Sequence, residues 1–236
     1  MSTNTWVPPE EPSPSEILES AIADTGNGEY ATSLAKFLWF HHNALRYEYA
    51  LYSVRLWVAL CYWQRLARLY PPAETTFTGA RENAEQAFLQ QPSDEKLFLE
   101  AAAFNRAAGN DSRTASLFES VARSNPALVT YVYFKAEPFL VSAGRYELCG
   151  PFLQPEKQLF GVTESYRGMM ELDEGCATLH FMHHVGTLIA LLVLNGRTEE
   201  ANSIRKSSLS VIDDEQCRSE LNAAMTGHLP SASKKP

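Results

Sequence analysis

An all-α fold is predicted for this 236-residue chain by three observations. Ala and Leu together number 55 against 16 for Val and Ile, a ratio that favours helix formers over the β-branched residues of strands. Apolar side chains recur at three- and four-residue spacing, and no segment alternates convincingly with a period of two. The breaks are short, at Pro71-Pro72, Gln91-Pro92, Asn125-Pro126, Gln154-Pro155 and Asn195-Gly196, as between closely packed consecutive helices. With 45% hydrophobic and 20% charged residues the chain can bury a sizeable core. We read one domain over residues 13–228. The Pro- and Glu-rich residues 1–12 and the polar residues 229–236 are expected as disordered tails.

Ser13-Pro14-Ser15-Glu16 opens the first helix: Ser13 caps, Pro14 suits the first helical position, and Glu16 stands where a capping box needs it. That helix should stop near Gly26. Residues 29–45, dense in aromatics (Phe37, Trp39, Phe40), and 49–70, closed by Pro71-Pro72, are predicted to pair as a helical hairpin. In the second of these Tyr52, Leu56, Ala59, Trp63, Leu66 and Tyr70 form one apolar stripe, with Leu51, Val58, Tyr62 and Leu69 beside it. So broad an arc asks for neighbours on two sides. Further helices are predicted over 74–90, 94–108, 112–124, 127–142, 146–153, 156–170, 176–194, 198–208 and 214–226. Within them VTYVYF at 129–134 is the only segment rich in strand formers, and its helical flanks favour helix.

One junction recurs: Gly28-Glu29-Tyr30, Gly109-Asn110-Asp111, Gly144-Arg145-Tyr146 and Gly196-Arg197-Thr198 each put a glycine between two predicted helices. Glycine accepts the left-handed conformation that ends a helix, and polar residues after it can cap the next one. On these residues the chain resembles the tetratricopeptide repeat family, whose unit is a 34-residue helix-turn-helix. Residues 95–128 match best, with Phe98 at the large position, Ala102 at the small crossing position, Gly109 at the turn, Phe118 at the second-helix aromatic and Pro126 at the close. Thr114 replaces the family's alanine. Gly196 to Ala201 copies the turn well, and Gly144 to Cys149 copies it with Cys149 in the alanine place. The turns at Gly144 and Gly196 are farther apart than one unit, so the repeats are irregular. The resemblance implies a right-handed solenoid of antiparallel helical hairpins. Residues 28–73, with Trp39-Phe40-His41-His42-Asn43-Ala44-Leu45 and Tyr70-Pro71-Pro72-Ala73, also resemble the N-terminal block of an uncharacterised family of bacterial proteins with such repeats. That likeness implies a bacterial cytosolic origin and no particular activity.

Composition excludes several function classes. The net charge of −8 lacks the basic footprint that nucleic acid requires. The first twenty residues hold four glutamates and four prolines and no apolar stretch, unlike a secretory signal. The apolar run Leu188 to Leu194 is short of the roughly twenty residues that cross a bilayer, so no membrane span is expected. Four separated cysteines (Cys61, Cys149, Cys176, Cys217) fit reduced thiols in a cytoplasmic protein. No GxSxG, HExxH, phosphate-loop or dinucleotide signature occurs.

Three features carry the candidate chemistry. Cys176, His180, His183, His184 and Thr187 fall on one helical arc, and the i, i+4 pairs Cys176/His180 and His180/His184 have the spacing of two zinc ligands. A third ligand would come from His41, His42, Glu171, Asp173 or Glu174; the plainer reading is a polar helix face with hydrogen-bonded histidines. Arg55 lies between the two apolar stripes of its helix, where a guanidinium must be paired, with Glu48 or Glu29 as structural partner, or else hold a ligand carboxylate or phosphate. His41-His42 sits among aromatics, so at least one of the two is expected to face inward. Trp57 is an aromatic on the polar side near Arg68, suited to a partner or to cover by another repeat. The repeat resemblance places Lys96, Leu99, Glu100, Ala103 and Arg106 in a ligand groove. Leu99 and Ala103 stand where carboxylate-clamping members have Lys and Asn, which implies a different peptide ligand. The expectation is therefore a protein- or peptide-binding scaffold, without cofactor or catalytic residues, with Arg55, Trp57, Arg68, Lys96, Leu99 and Arg106 as partner-binding residues. Self-association into a homo-oligomer is a further expectation, and a zinc site or enzyme on Cys176, His180, His183 and His184 is the alternative.

Overall fold

Ser13 has extended backbone, its hydroxyl accepts from the Glu16 N–H at 3.5 Å, and Pro14 takes the first helical position. Helix α1 (Pro14–Asn27) starts there in the computed structural model, which describes residues 6–230. It ends on Gly28 at φ 82°, and α2 (Tyr30–Tyr47) folds back against it. The hairpin is stitched by polar contacts, Thr25 Oγ1 to Ser33 Oγ at 2.7 Å, which is buried, and Lys36 Nζ to Asp24 Oδ2 at 2.6 Å, which is partly buried. Gly109, Gly144 and Gly196, the other three predicted junctions, likewise have positive φ of 72°, 68° and 74°.

The single helix expected over 49–70 is broken. A 3-10 turn (Tyr49–Leu51) and one turn of α3 (Tyr52–Val54) lead into a π turn (Arg55–Ala59) and then α4 (Leu60–Ala67). A π turn widens the helix by one residue and re-aims the side chains on it. Here Arg55 and Leu56, neighbours in sequence, are both turned away from solvent. Of the two apolar stripes, Leu56, Ala59, Trp63 and Leu66 are buried, whereas Val58 and Leu69 are about half exposed. The arc is therefore covered more fully along the first stripe than along the second, where Leu51 is buried and Tyr62 half-buried.

After Pro71 the chain continues as α5 (Pro71–Gln90), α6 (Glu95–Ala107), α7 (Asp111–Ala122), a 3-10 turn (Pro126–Val129) and α8 (Tyr133–Ser142). Each α-helix from α4 to α8 packs on the next, and an aromatic cluster of Phe37, Phe40, Trp63, Phe77 and Phe104 joins α2, α4, α5 and α6. The VTYVYF segment lies in the 3-10 turn and the start of α8, and the described residues contain no strand.

Close packing groups the chain into two compact units, Met1–Ala143 and Gly144–Pro236. The division falls at Gly144, where the helix predicted over 146–153 is replaced by two 3-10 turns (Tyr146–Leu148 and Gly150–Phe152). Pro151 lies in the second turn and cannot donate to a helix. In the second unit α9 (Pro155–Met170), α11 (Thr198–Leu209) and α12 (Glu215–Ala224) pack around α10 (Glu174–Leu194). Asn195 and Arg197 tie its turns together, Asn195 Nδ2 donating to Tyr146 O at 3.0 Å and Arg197 Nη1 to Leu153 O at 3.2 Å.

Helix α10 corrects the expectation that no segment is long and apolar enough to span a bilayer. Its 21 residues, with mean hydropathy 1.6 over the most apolar window, meet that test by length and composition. His, Thr and Gly interrupt the apolar run without adding charge, so counting unbroken runs misses it. More than half of the window is buried inside the unit, as in a core helix. The tails also differ from expectation where they are described. Trp6 packs edge-on against Trp39 with ring centroids 6.4 Å apart, and Pro230 lies against Gly186 of α10. Residues 1–5 and 231–236 of the tails lie outside the described residues.

Candidate functional site

Arg55 reaches inward from the π turn and finds neither Glu48 nor Glu29. Its Nε donates to the His41 carbonyl at 2.8 Å and its Nη2 to Glu100 Oε1 at 2.5 Å. Glu100, on α6, stands 45 residues away in sequence, beyond the reach of a local pairing argument. His41 completes the group, its Nε2 lying 3.3 Å from Arg55 Nη2 and 3.4 Å from Glu100 Oε1. Its ring is buried between Trp63 and Phe104, whose centroids stand 5.7 and 5.3 Å away. His41 is thus the inward histidine of the pair, and His42 is exposed.

Burial sets the protonation states here. Desolvation lowers the His41 pKa, so the imidazole is held neutral, and Nδ1 is enclosed without a partner. Burial also opposes the Glu100 charge, but the His41 hydrogen bond and the Arg55 charge and hydrogen bond outweigh it and bring the pKa to about 2. The resulting ion pair carries no net charge. It lies on the wall of a cavity of about 480 Å³ between α2, the π turn, α5 and α6.

The groove positions implied by the repeat resemblance are not all open. Glu100 is engaged by Arg55, Ala103 is buried in the core, and Leu99 packs half-buried on its edge. Lys96 is exposed with its ammonium 5.9 Å from the Tyr49 ring centre. Arg106 is sandwiched between two rings, 5.2 Å from the centre of Trp57 and 4.3 Å from that of Phe139, and its Nε lies 3.3 Å from Asp111 Oδ1. Trp57 keeps 44% of its surface exposed on this face. Arg68 is exposed at the end of α4. The structure therefore separates the candidates: Arg55 belongs to the cavity, whereas Trp57 and Arg106 form a surface pair.

The histidine stripe lies on α10 in the second unit, whereas His41 and His42 belong to the first. The His180 and His184 rings are 4.3 Å apart, and Thr187 donates to the His183 carbonyl at 2.8 Å. Burial, with His180 and His183 adding to it, lowers His184 to about 4. Asp173 caps the helix through the Cys176 N–H at 2.9 Å. Among the described residues no group of three or more His, Cys, Asp or Glu side chains is arranged to hold a metal ion. The i, i+4 spacing supplied two donors, and the fold gathers no third among the described residues.

Sequence reasoning marked Arg55 as needing a partner but missed the π turn and placed Glu100 in an open groove. The ring contact of Phe139 with Arg106 carries no local signal, because the two lie on different helices. No protein-family model, curated protein or solved structure matches the chain significantly.

Proposed function

We propose that the protein is a non-enzymatic scaffold of helical hairpins, laid out as an irregular tetratricopeptide-like solenoid, that binds an extended segment of a partner protein. The observation that carries this reading is the Trp57–Arg106–Phe139 sandwich. An exposed tryptophan backed by an ordered guanidinium is the composition of an interface anchor, since Trp and Arg dominate binding hot spots. Arg106 shares one weak contact with Asp111, so further N–H donors are available to a ligand carboxylate. Lys96 beside Tyr49 repeats the pairing of cation and ring. The fitting partner segment carries acidic side chains next to aromatic or proline residues, which stack on Trp57.

Selection of displayed random peptides against the purified protein tests the reading. Enriched peptides should combine acidic and flat apolar residues, and Trp57→Ala and Arg106→Ala should each weaken their binding by roughly tenfold or more, as expected for an anchor. Arg68→Ala, outside the sandwich, should leave binding within about twofold. Peptides whose affinity neither Trp57→Ala nor Arg106→Ala alters would dispose of this surface.

A further inference from the structure

The cavity beside Arg55 is built from two unlike walls. On one side α5 turns Thr76, Gly79, Ala80, Asn83, Ala84 and Ala87 toward it at three- and four-residue spacing. Larger side chains at these positions would close the space. A Cβ placed on Gly79 would meet nothing within 4 Å, so the opening is real at that point. Its volume of about 480 Å³ is in the range of small-molecule pockets.

The opposite wall holds the ion pair, and its hydrogen-bond accounting is incomplete in a specific way. Arg55 spends Nε on the His41 carbonyl and Nη2 on Glu100 Oε1. Among the described residues Arg55 Nη1 and Glu100 Oε2 find no hydrogen-bond partner, and neither is among the sealed, unpartnered atoms of the interior. Both residues line the cavity, the one able to donate and the other to accept. An anion drawn to Arg55 meets the Glu100 carboxylate, and a cation drawn to Glu100 meets the guanidinium, so neither gains much from the pair. A neutral planar group with a carbonyl beside an N–H satisfies both at once.

We propose that this cavity binds a small molecule through a neutral carboxamide-type edge. The ligand carbonyl accepts from Arg55 Nη1 and its N–H donates to Glu100 Oε2. An apolar body lies against Leu38, Ala84 and Leu97. This site is separate from the Trp57 surface and stands whether or not a peptide binds there.

Benzamide, benzoate and benzamidinium test it, because they share a ring and a planar head and differ in charge and donor pattern. In protein-observed NMR titrations, benzamide should bind about tenfold more tightly than either ion, the discrimination of a site that reads a donor and an acceptor together. Glu100→Gln removes the neutralising charge, so benzoate should overtake benzamide in that variant. Gly79→Leu fills the opening and should abolish benzamide binding; it serves as the decisive variant if Glu100→Gln does not fold. The proposal is overturned if either ion binds the unaltered protein as tightly as benzamide, or if Gly79→Leu leaves benzamide binding intact. It is equally overturned if no resonance of a cavity residue moves at roughly 10 mM probe, a concentration that suits ligands of this size.

Discussion

Arg55 shows what a single residue can and cannot disclose. Its side chain is 11% exposed, and Glu100, 26% exposed, is its one carboxylate partner. Breaking such a pair leaves an uncompensated charge, whereas replacing both members by apolar groups removes the desolvation cost with the attraction. Glu100→Ala should therefore cost about 2 to 3 kcal/mol of stability, and Arg55→Met with Glu100→Leu should recover most of that loss. Urea unfolding of Arg55→Met alone, Glu100→Leu alone and the double variant measures the coupling; additive losses would show that the pair is not coupled. The need for a partner was legible in the sequence, because a guanidinium between apolar stripes cannot stay unpaired. The partner's identity was not, since Glu48 and Glu29 are closer along the chain and only packing of α6 beside the π turn brings Glu100 into range.

Among the elements, the helices followed from local signals. Ser13, Asp94, Asn110, Asp173 and Asp214 each accept a backbone N–H at a helix start, and four inter-helix glycines adopt the left-handed backbone. Two other glycines make opposite predictions. Gly79 is interior to α5 with open space around it, so Gly79→Ala should stabilise the protein by about 0.5 to 1 kcal/mol through helix propensity. Gly150 faces the Asn195 side chain, which is held by the Tyr146 and Leu191 carbonyls and cannot swing aside. Gly150→Ala should cost about 1 to 3 kcal/mol through overpacking. Thermal melts distinguish the two, and equal effects of the same sign would contradict the packing. The π turn had no such signal: residues 49–70 have helical spacing throughout, and the wide turn is selected by where Arg55 and Leu56 must both point.

For the whole molecule, the titrating groups give stability a direction with pH. Burial lowers the folded pKa of His41, His183 and His184, the last to about 4, so protons bind the unfolded chain more tightly. Their contribution is complete above the unfolded value of about 6.5 and declines as pH falls below it. Glu100 adds a second loss: its stabilisation is present above the unfolded value of about 4.3 and disappears as pH falls toward its folded pKa of about 2. Glu137 acts in the opposite sense, because burial raises its pKa and its protonation favours the folded chain. The urea midpoint should thus fall from about pH 6.5 downward. A midpoint that stays flat or rises over that interval would contradict the buried environment of these histidines.

The sequence by itself determined an all-α protein, the capped starts of several helices, its glycine turns and most of the apolar faces that build the core. Those follow from rotamer and backbone preferences and from hydrogen bonds spanning a few residues, all of which are written locally. Tertiary structure alone decided that the chain forms two compact units, that Glu100 neutralises Arg55, that Arg106 lies between Trp57 and Phe139, and that small residues on α5 leave a cavity open. Each of these depends on which helix faces which, and side chains distant along the chain meet only after the apolar faces have packed.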